Sequence, residues 1–389
     1  MQKYYDINRK TLSQITRLCC LFVFFSILAL VVKPSPYRRL LFLPVLAVSL
    51  RLLSLSTGNP TFDYCIGAAY FPYFFAASDY ILLTDVQREL RLVQPPQRAD
   101  ELPENAPLSR RIAWATALLS SQRGLGWAHV PRHALPPRPP ASTSRGAFVR
   151  AQLARAAAAA LLFEAANLYT SARIPALYAG GPRLAAQGWA ARCLAVWAWV
   201  VPVAALSEFG HALNAALSVA AGAATPSDWP PIQGSPALAW SVRNFWGRVW
   251  HQGMRRSVSA HGRFVAHRML RLARGSAASA YMQLYAAFFV SGVAHYLPEY
   301  MALRHWGGGA LRFFVLQAVA ITLEDGVQAA SRRLGMAASW KWKAVGYFWV
   351  WSWFAFCLPI WQDPLLHAGV FEEVRYSAIK WLLKRRQQV

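Results

Sequence analysis

Charge is scarce in this 389-residue chain, and negative charge is the scarcest. Only 15% of its residues are charged, against the ~25% usual for a soluble domain. That is too little polar material to coat a water-facing surface. Asp and Glu number 17 beside 41 Lys and Arg, a formal charge of +24. Cysteine is sparse as well. Cys19, Cys20, Cys65, Cys193 and Cys357 form no C-x-x-C pair, and four of them lie within apolar runs. Neither a disulfide framework nor a zinc site is suggested. The chain also lacks a G-x-S-x-G elbow, an H-E-x-x-H helix, a Walker loop, a G-x-G-x-x-G turn before a strand and paired D-D-x-x-D clusters. These absences disfavour nucleophilic serine catalysis, zinc hydrolysis and metal-dependent prenyl chemistry. No resident cofactor and no metal are expected. Direct transfer with one general base stays open.

What the chain has in quantity is apolar sequence: 56% hydrophobic and 14% aromatic residues. A membrane span needs ~20 apolar residues. Runs of that kind lie at about 17–32, 39–56, 62–84, 148–170, 189–222, 278–299, 308–329 and 343–361. The longest, 189–222, contains Pro202, Glu208, Gly210 and His211 and is long enough for two helices. The expected fold is all-α, a polytopic transmembrane helical bundle of about seven to nine spans with amphipathic interfacial helices. The first run follows a basic start without a small-residue cleavage site, which reads as a retained helix. The expected localisation is multi-pass in a membrane, the endoplasmic reticulum.

The divisions read as residues 1–84, N-terminal transmembrane helices; 85–147, a polar Arg/Pro-rich loop; and 148–389, a core. In the loop, "VPRHALPPRPPASTSRG" is too polar and proline-rich to bury a core and is expected to be mobile. "SQRGLGW" nearby reads as a structured turn. Arg88, Arg91, Arg98, Arg110 and Arg111 place the loop on the cytosolic side. A second basic interval, 223–277, is assigned to the same side, and "FVAHRMLRLARG" within it is amphipathic enough to lie along a membrane surface. The C-terminal "AIKWLLKRR" reads as an interfacial anchor. In a soluble protein +24 would suggest nucleic acid. Here the basic residues lie between apolar runs, so nucleic acid is not expected as a partner. The lipid bilayer, anionic headgroups and an anionic substrate are.

Two stretches can carry chemistry. "SVRNFWGRVWHQGMRR" runs from Ser241 to Arg256. As a helix it would put Arg243, Gly247 and His251 on one face at i, i+4 and i+8, Arg248 and Gln252 on a neighbouring face, and Trp246 and Trp250 on an apolar edge. Gly247 would let a ligand or another helix approach closely, and arginine suits phosphate through its planar fork of donors. The plainer alternative is an interfacial helix with Trp and Arg at headgroup level. The second stretch is "AAFFVSGVAHYLPEY", where Ser291, Gly292, His295 and Glu299 fall on one side of a helix. Gly292 would leave room beside the imidazole, and histidine is matched to proton transfer near neutral pH. The alternative is a buried histidine bonded to a neighbouring helix. Arg51, Glu164, Glu324 and Asp325 also sit at apparent membrane depth, where pairing with opposite charge is the expected state.

"SVRNFWGRVWHQ" followed by "FFVSGVAH" resembles the wax-synthase-like branch of the membrane-bound O-acyltransferases. "DWPPIQGSPALAWS", "SQRGLGW" and "ITLEDGVQ" are similar to that branch in its fungal, secondary-metabolite O-acetyltransferase form. The resemblance covers about 120–365 and implies that 148–389 is an acyltransferase core. It places the presumed catalytic base of the S-G-x-x-H stretch on His295. It places the F-W-G-R-x-W stretch on Phe245, Trp246, Gly247, Arg248 and Trp250. Related acyltransferases carry asparagine next, where this chain has His251, a candidate second titrating group. The implied reaction is acyl transfer, of acetyl from acetyl-CoA, to a hydroxyl of a lipophilic terpenoid or meroterpenoid alcohol. The substrate class comes from the resemblance.

On that reading Arg243, Arg248 and Arg255 meet the acyl-CoA phosphates. Trp246, Trp250, Gln252, Ser291 and Gly292 contact substrate, His295 is the base, and His251 or Gln252 donates to the oxyanion. The other readings are long-chain acyl transfer to an alcohol, terpenoid cyclisation with His295 or Glu324 as acid, and a non-catalytic transporter or lipid-binding protein. The absence of inverted halves counts against transport.

Overall fold

The structure, a computed structural model, describes residues 8–93, 103–131, 134–173, 181–336 and 339–370. Among these the fold is helical: α1 (Arg9–Val31), α2 (Phe42–Ser54), α3 (Pro60–Ser78), α4 (Val86–Glu89), α5 (Leu108–Ser120), α6 (Arg145–Arg173), α7 (Trp189–Ala220), α8 (Val242–Asn244), α9 (Arg255–Arg263), α10 (Ala277–Leu303), α11 (Ala310–Arg333) and α12 (Trp340–His367). The described residues contain no strand, only one bridge between Leu92 and Trp127.

Six of these helices are long and apolar enough to cross a membrane, within Arg9–Val31, Pro60–Leu83, Arg145–Tyr169, Trp189–Ala220, Ala277–Leu303 and Trp340–His367. The chain is an integral membrane protein. Each expected apolar run is helical, but two do not qualify as spans. The run at 39–56 yields only the 13-residue α2; at 1.5 Å per residue that is ~20 Å, short of a ~30 Å hydrocarbon core. The run at 308–329 falls in α11, whose C-terminal part carries Glu324, Asp325, Arg332 and Arg333. The 189–222 run is one continuous helix with Pro202 inside it.

The chain divides into two compact units, Met1–Pro131 with Gly253–Ala318, and Arg132–Gln252 with Val319–Val389. In the first unit, Asn8 caps α1 by accepting from Lys10 N and Thr11 N, and Asn59 caps α3 by accepting from Phe62 N. Ile15, Phe22, Val45, Leu52, Phe71, Ile81 and Met301 form its main core. Small residues let helices approach closely: a Cβ added at Gly67 would lie 2.9 Å from the Cα of Pro298 on α10. A second cluster joins Leu30 and Tyr80 to Trp114, Leu118 and Trp127. The part of the polar interval that precedes "VPRHALPPRPPASTSRG" contributes to this core. Within it α5 buries Trp114, Ala115, Leu118 and Leu119, an apolar face diluted in sequence by the surrounding Arg and Pro. "SQRGLGW" is a turn, with Gly124 and Gly126 at positive φ. Past α9, a widened turn at Phe264–Met269 exposes Phe264, Met269 and Leu270 beside Arg263 and Arg268. This pattern suits a membrane surface.

In the second unit α6 and α7 pack side by side, with Phe148 of α6 against Ala215 and Val219 of α7, while Ala195 and Ala198 of α7 pack with Leu184 and with Leu366 of α12. Arg155 and Glu208 bridge them at 2.6 Å. On α12, Asp363 accepts from Leu184 N at 2.8 Å and Ala185 N at 3.2 Å. "AIKWLLKRR" and Arg98 lie outside the described residues.

Candidate functional site

The histidine-bearing stretch lies on α10, in the first unit. Ser276 opens that helix by accepting from Ser279 N, and Arg304 ends it in the left-handed region at φ 62°. His295 is half-buried. Its imidazole stacks on Phe314 of α11, with centroids 4.8 Å apart and planes within 6°. Ser291, one turn back, is also half-buried.

Two neighbours of His295 do other work than the spacing implies. A Cβ added at Gly292 would lie 2.9 Å from Leu311 Cδ1 and 3.1 Å from Leu311 Cα. The glycine thus admits helix α11; the space it leaves is filled by protein and is not room beside the imidazole. Glu299, fully buried, accepts from Gly309 N at 3.2 Å and Ala310 N at 3.0 Å. It satisfies amides at the start of α11 that have no partner within the helix.

The arginine-rich stretch belongs to the second unit as far as Gln252. It is not the continuous helix that the spacing assumed. Ser241 caps a short turn, α8, by accepting from Asn244 N. The backbone then widens over Phe245–Val249, closed by Trp250 N donating to Phe245 O at 2.8 Å. Trp250 leaves in extended conformation at ψ 152°. Arg243, Gly247 and His251 therefore do not form one i, i+4, i+8 face, since the helix ends before His251.

Aromatic packing holds the turn. Phe245 stacks with Trp250 at 5.7 Å and 23°, and both Phe245 and Trp246 meet Phe354 of α12. A Cβ added at Gly247 would meet nothing within 4 Å. His251 is half-buried and tilted against Trp250 at 5.3 Å.

The polar side chains of the stretch divide into held and unheld. Gln252 is buried, and its amide nitrogen donates to Trp246 O and Trp250 O. Both N–H bonds of that amide hold backbone carbonyls, so it is not positioned as an oxyanion donor. Arg243 pairs with Asp325 at 2.5 Å. Arg248 is exposed and, among the described residues, pairs with no carboxylate.

Of the charges expected to pair at membrane depth, Asp325 does so with Arg243, while Arg51 donates to Ser54 and, among the described residues, pairs with no carboxylate. Glu324 instead accepts from Val242 N at 2.6 Å, Arg243 N at 3.1 Å and Trp349 Nε1 at 2.8 Å. Spacing missed this role. A carboxylate in "ITLEDGVQ" carries no local mark that it meets a backbone some eighty residues away. Arg255 opens α9 in the first unit, half-buried, and burial holds its guanidinium below the ordinary arginine range.

Residues 229–316 match the membrane bound O-acyl transferase family, a stretch that includes both the arginine-rich turn and His295. Acetyltransferase ple2 of Rhodocybe pseudopiperita is 37% identical over 86% of this chain and 86% of its own length. Acetyltransferase eriL of Hericium erinaceus is 35% identical over 92% of this chain and 91% of its own. Acetyltransferase aurG of Calcarisporium arbuscula is 40% identical over 40% of this chain and 39% of its own. The chain is an acyltransferase and belongs to the membrane-bound O-acyltransferase family.

Proposed function

We propose that the chain transfers an acetyl group from acetyl-CoA to a hydroxyl of a lipophilic terpenoid or meroterpenoid, in the endoplasmic reticulum membrane. The observation that carries this reading is the likeness to acetyltransferases along most of the chain. It is joined to a histidine on a membrane-length apolar helix, where a polar group is costly and is by default functional.

The reaction needs one base and no acyl-enzyme. His295 removes the hydroxyl proton as oxygen attacks the thioester carbon. The tetrahedral intermediate collapses, breaking the carbon–sulfur bond, and the departing thiolate takes the proton back from the imidazolium. The products are the ester and free CoA. Base catalysis of this kind contributes ~10²–10⁴ in rate. An N–H of His251 stabilises the developing oxyanion, a role in which one donor is typically worth ~10²–10³. Arg248, exposed and, among the described residues, without a carboxylate partner, takes the anionic phosphates of the donor, while Trp246 and Trp250 border the acyl end.

The cyclisation alternative loses its carboxylic acid, because Glu324 is occupied as the acceptor of three N–H groups. The test is product mass from microsomes carrying the protein, fed acetyl-CoA or palmitoyl-CoA with candidate terpenoid alcohols. An acetate ester from the first donor alone is the expected product. A palmitate ester would reassign the chain to wax-ester synthesis, and a product without donor label would reject acyl transfer to that alcohol.

A further inference from the structure

We propose that Glu324 and Asp325 are positioning residues of the acyl transfer, fixing the turn from Val242 to Trp250 so that Arg248 is presented to the anionic donor. The inference rests on the reading that Arg248 binds that donor.

Two adjacent carboxylates on α11 grip the start of the turn in different ways. Glu324 is buried and takes the amides of Val242 and Arg243, with the indole N–H of Trp349 on α12 as its third donor. Its two oxygens are thereby matched to a backbone pair, which a side chain of other shape would not reproduce. Asp325 takes the guanidinium of Arg243. The first arginine of the stretch is thus committed to the protein.

The end of the turn is held separately. Gln252 binds the carbonyls of Trp246 and Trp250, and Gly234 N donates to Val249 O at 2.8 Å. A Cβ at Gly234 would lie only 1.9 Å from Arg248 O, so that backbone contact admits no side chain. Between the two clamps, Gly247 faces open space and the Arg248 side chain is exposed. A turn fixed at both ends, with one uncommitted guanidinium between them, is preorganised for a charged ligand. Loosening the first clamp should then weaken donor capture without touching the base.

The experiment measures steady-state kinetics in microsomes for Glu324→Gln, Asp325→Asn, Arg248→Ala and the Glu324→Gln/Arg248→Ala double variant. Glu324→Gln keeps the size of the side chain but turns one acceptor into a donor facing an N–H. It should raise the KM for acyl-CoA at least about fivefold, the net worth of one hydrogen bond. The KM for the alcohol should stay unchanged. The double variant should be no worse for the donor than Arg248→Ala alone, because both act through one guanidinium. Asp325→Asn should raise donor KM in the same sense, and it decides the matter should Glu324→Gln fail to accumulate.

Wild-type donor KM in both carboxylate variants, beside a raised value in Arg248→Ala, overturns the positioning role alone. So does a multiplicative loss in the double variant. Wild-type donor KM in Arg248→Ala removes the donor-binding premise, and this inference with it.

Discussion

The imidazole of His295 lies flat on the ring of Phe314, 4.8 Å between centroids and 6° between planes. A stack of that kind fixes the plane of the imidazole and so the direction of its nitrogens. Phe314→Leu keeps the site apolar but removes the flat partner. It should lower kcat by about tenfold, a fraction of the ~10²–10⁴ that a well-placed base supplies, with protein level unchanged. Turnover at fixed microsomal abundance checks it.

Gly67 and Pro298 mark the close approach of α3 and α10, where a Cβ would come within 2.9 Å of a backbone atom. Backbone cannot swing aside as a side-chain end can. Gly67→Ala should therefore destabilise the protein by about 1–3 kcal/mol, the usual cost of overpacking. A lower unfolding midpoint in detergent would register it; an unchanged midpoint would mean that the helices separate at no cost.

His129, in the turn after "SQRGLGW", is pushed down to about 4 by burial and then by the charge of Arg256. Between that value and the ~6.5 of an unfolded histidine, the unfolded chain binds more protons than the folded one. Stability from this group is complete above ~6.5 and is lost as pH falls towards 4. The ceiling is ~1.4 kcal/mol per pH unit, and partial exposure brings the effect well below it. His129→Gln should lose less of its unfolding midpoint than wild type on going from pH 7.5 to about 5. Equal losses would contradict the assignment.

The helical membrane fold and the family are legible in the sequence, because apolar run length and residue patterns are local properties. What packing decides is not. Periodicity could not show that Phe245–Val249 widens and releases Trp250 in extended conformation. Nor could it show that Gly292 is filled by Leu311 and that the amide of Gln252 holds two carbonyls. A glycine beside a histidine reads equally as space for a ligand or for a helix. In the sequence Glu299 is only a neighbour of His295 on one side of a helix, and Glu324 only a costly charge. Their partners, the backbone amides of Ala310 and Val242, have no residue signature at all.

The central claim is that one intramembrane imidazole deprotonates the acceptor alcohol. Its most direct test is label transfer from acetyl-CoA by microsomes carrying His295→Gln, at protein levels matched to wild type. Acyl transfer should fall at least about a hundredfold, with donor KM near the wild-type value. A rate close to wild type would mean that the proton leaves by another route and that the base lies elsewhere.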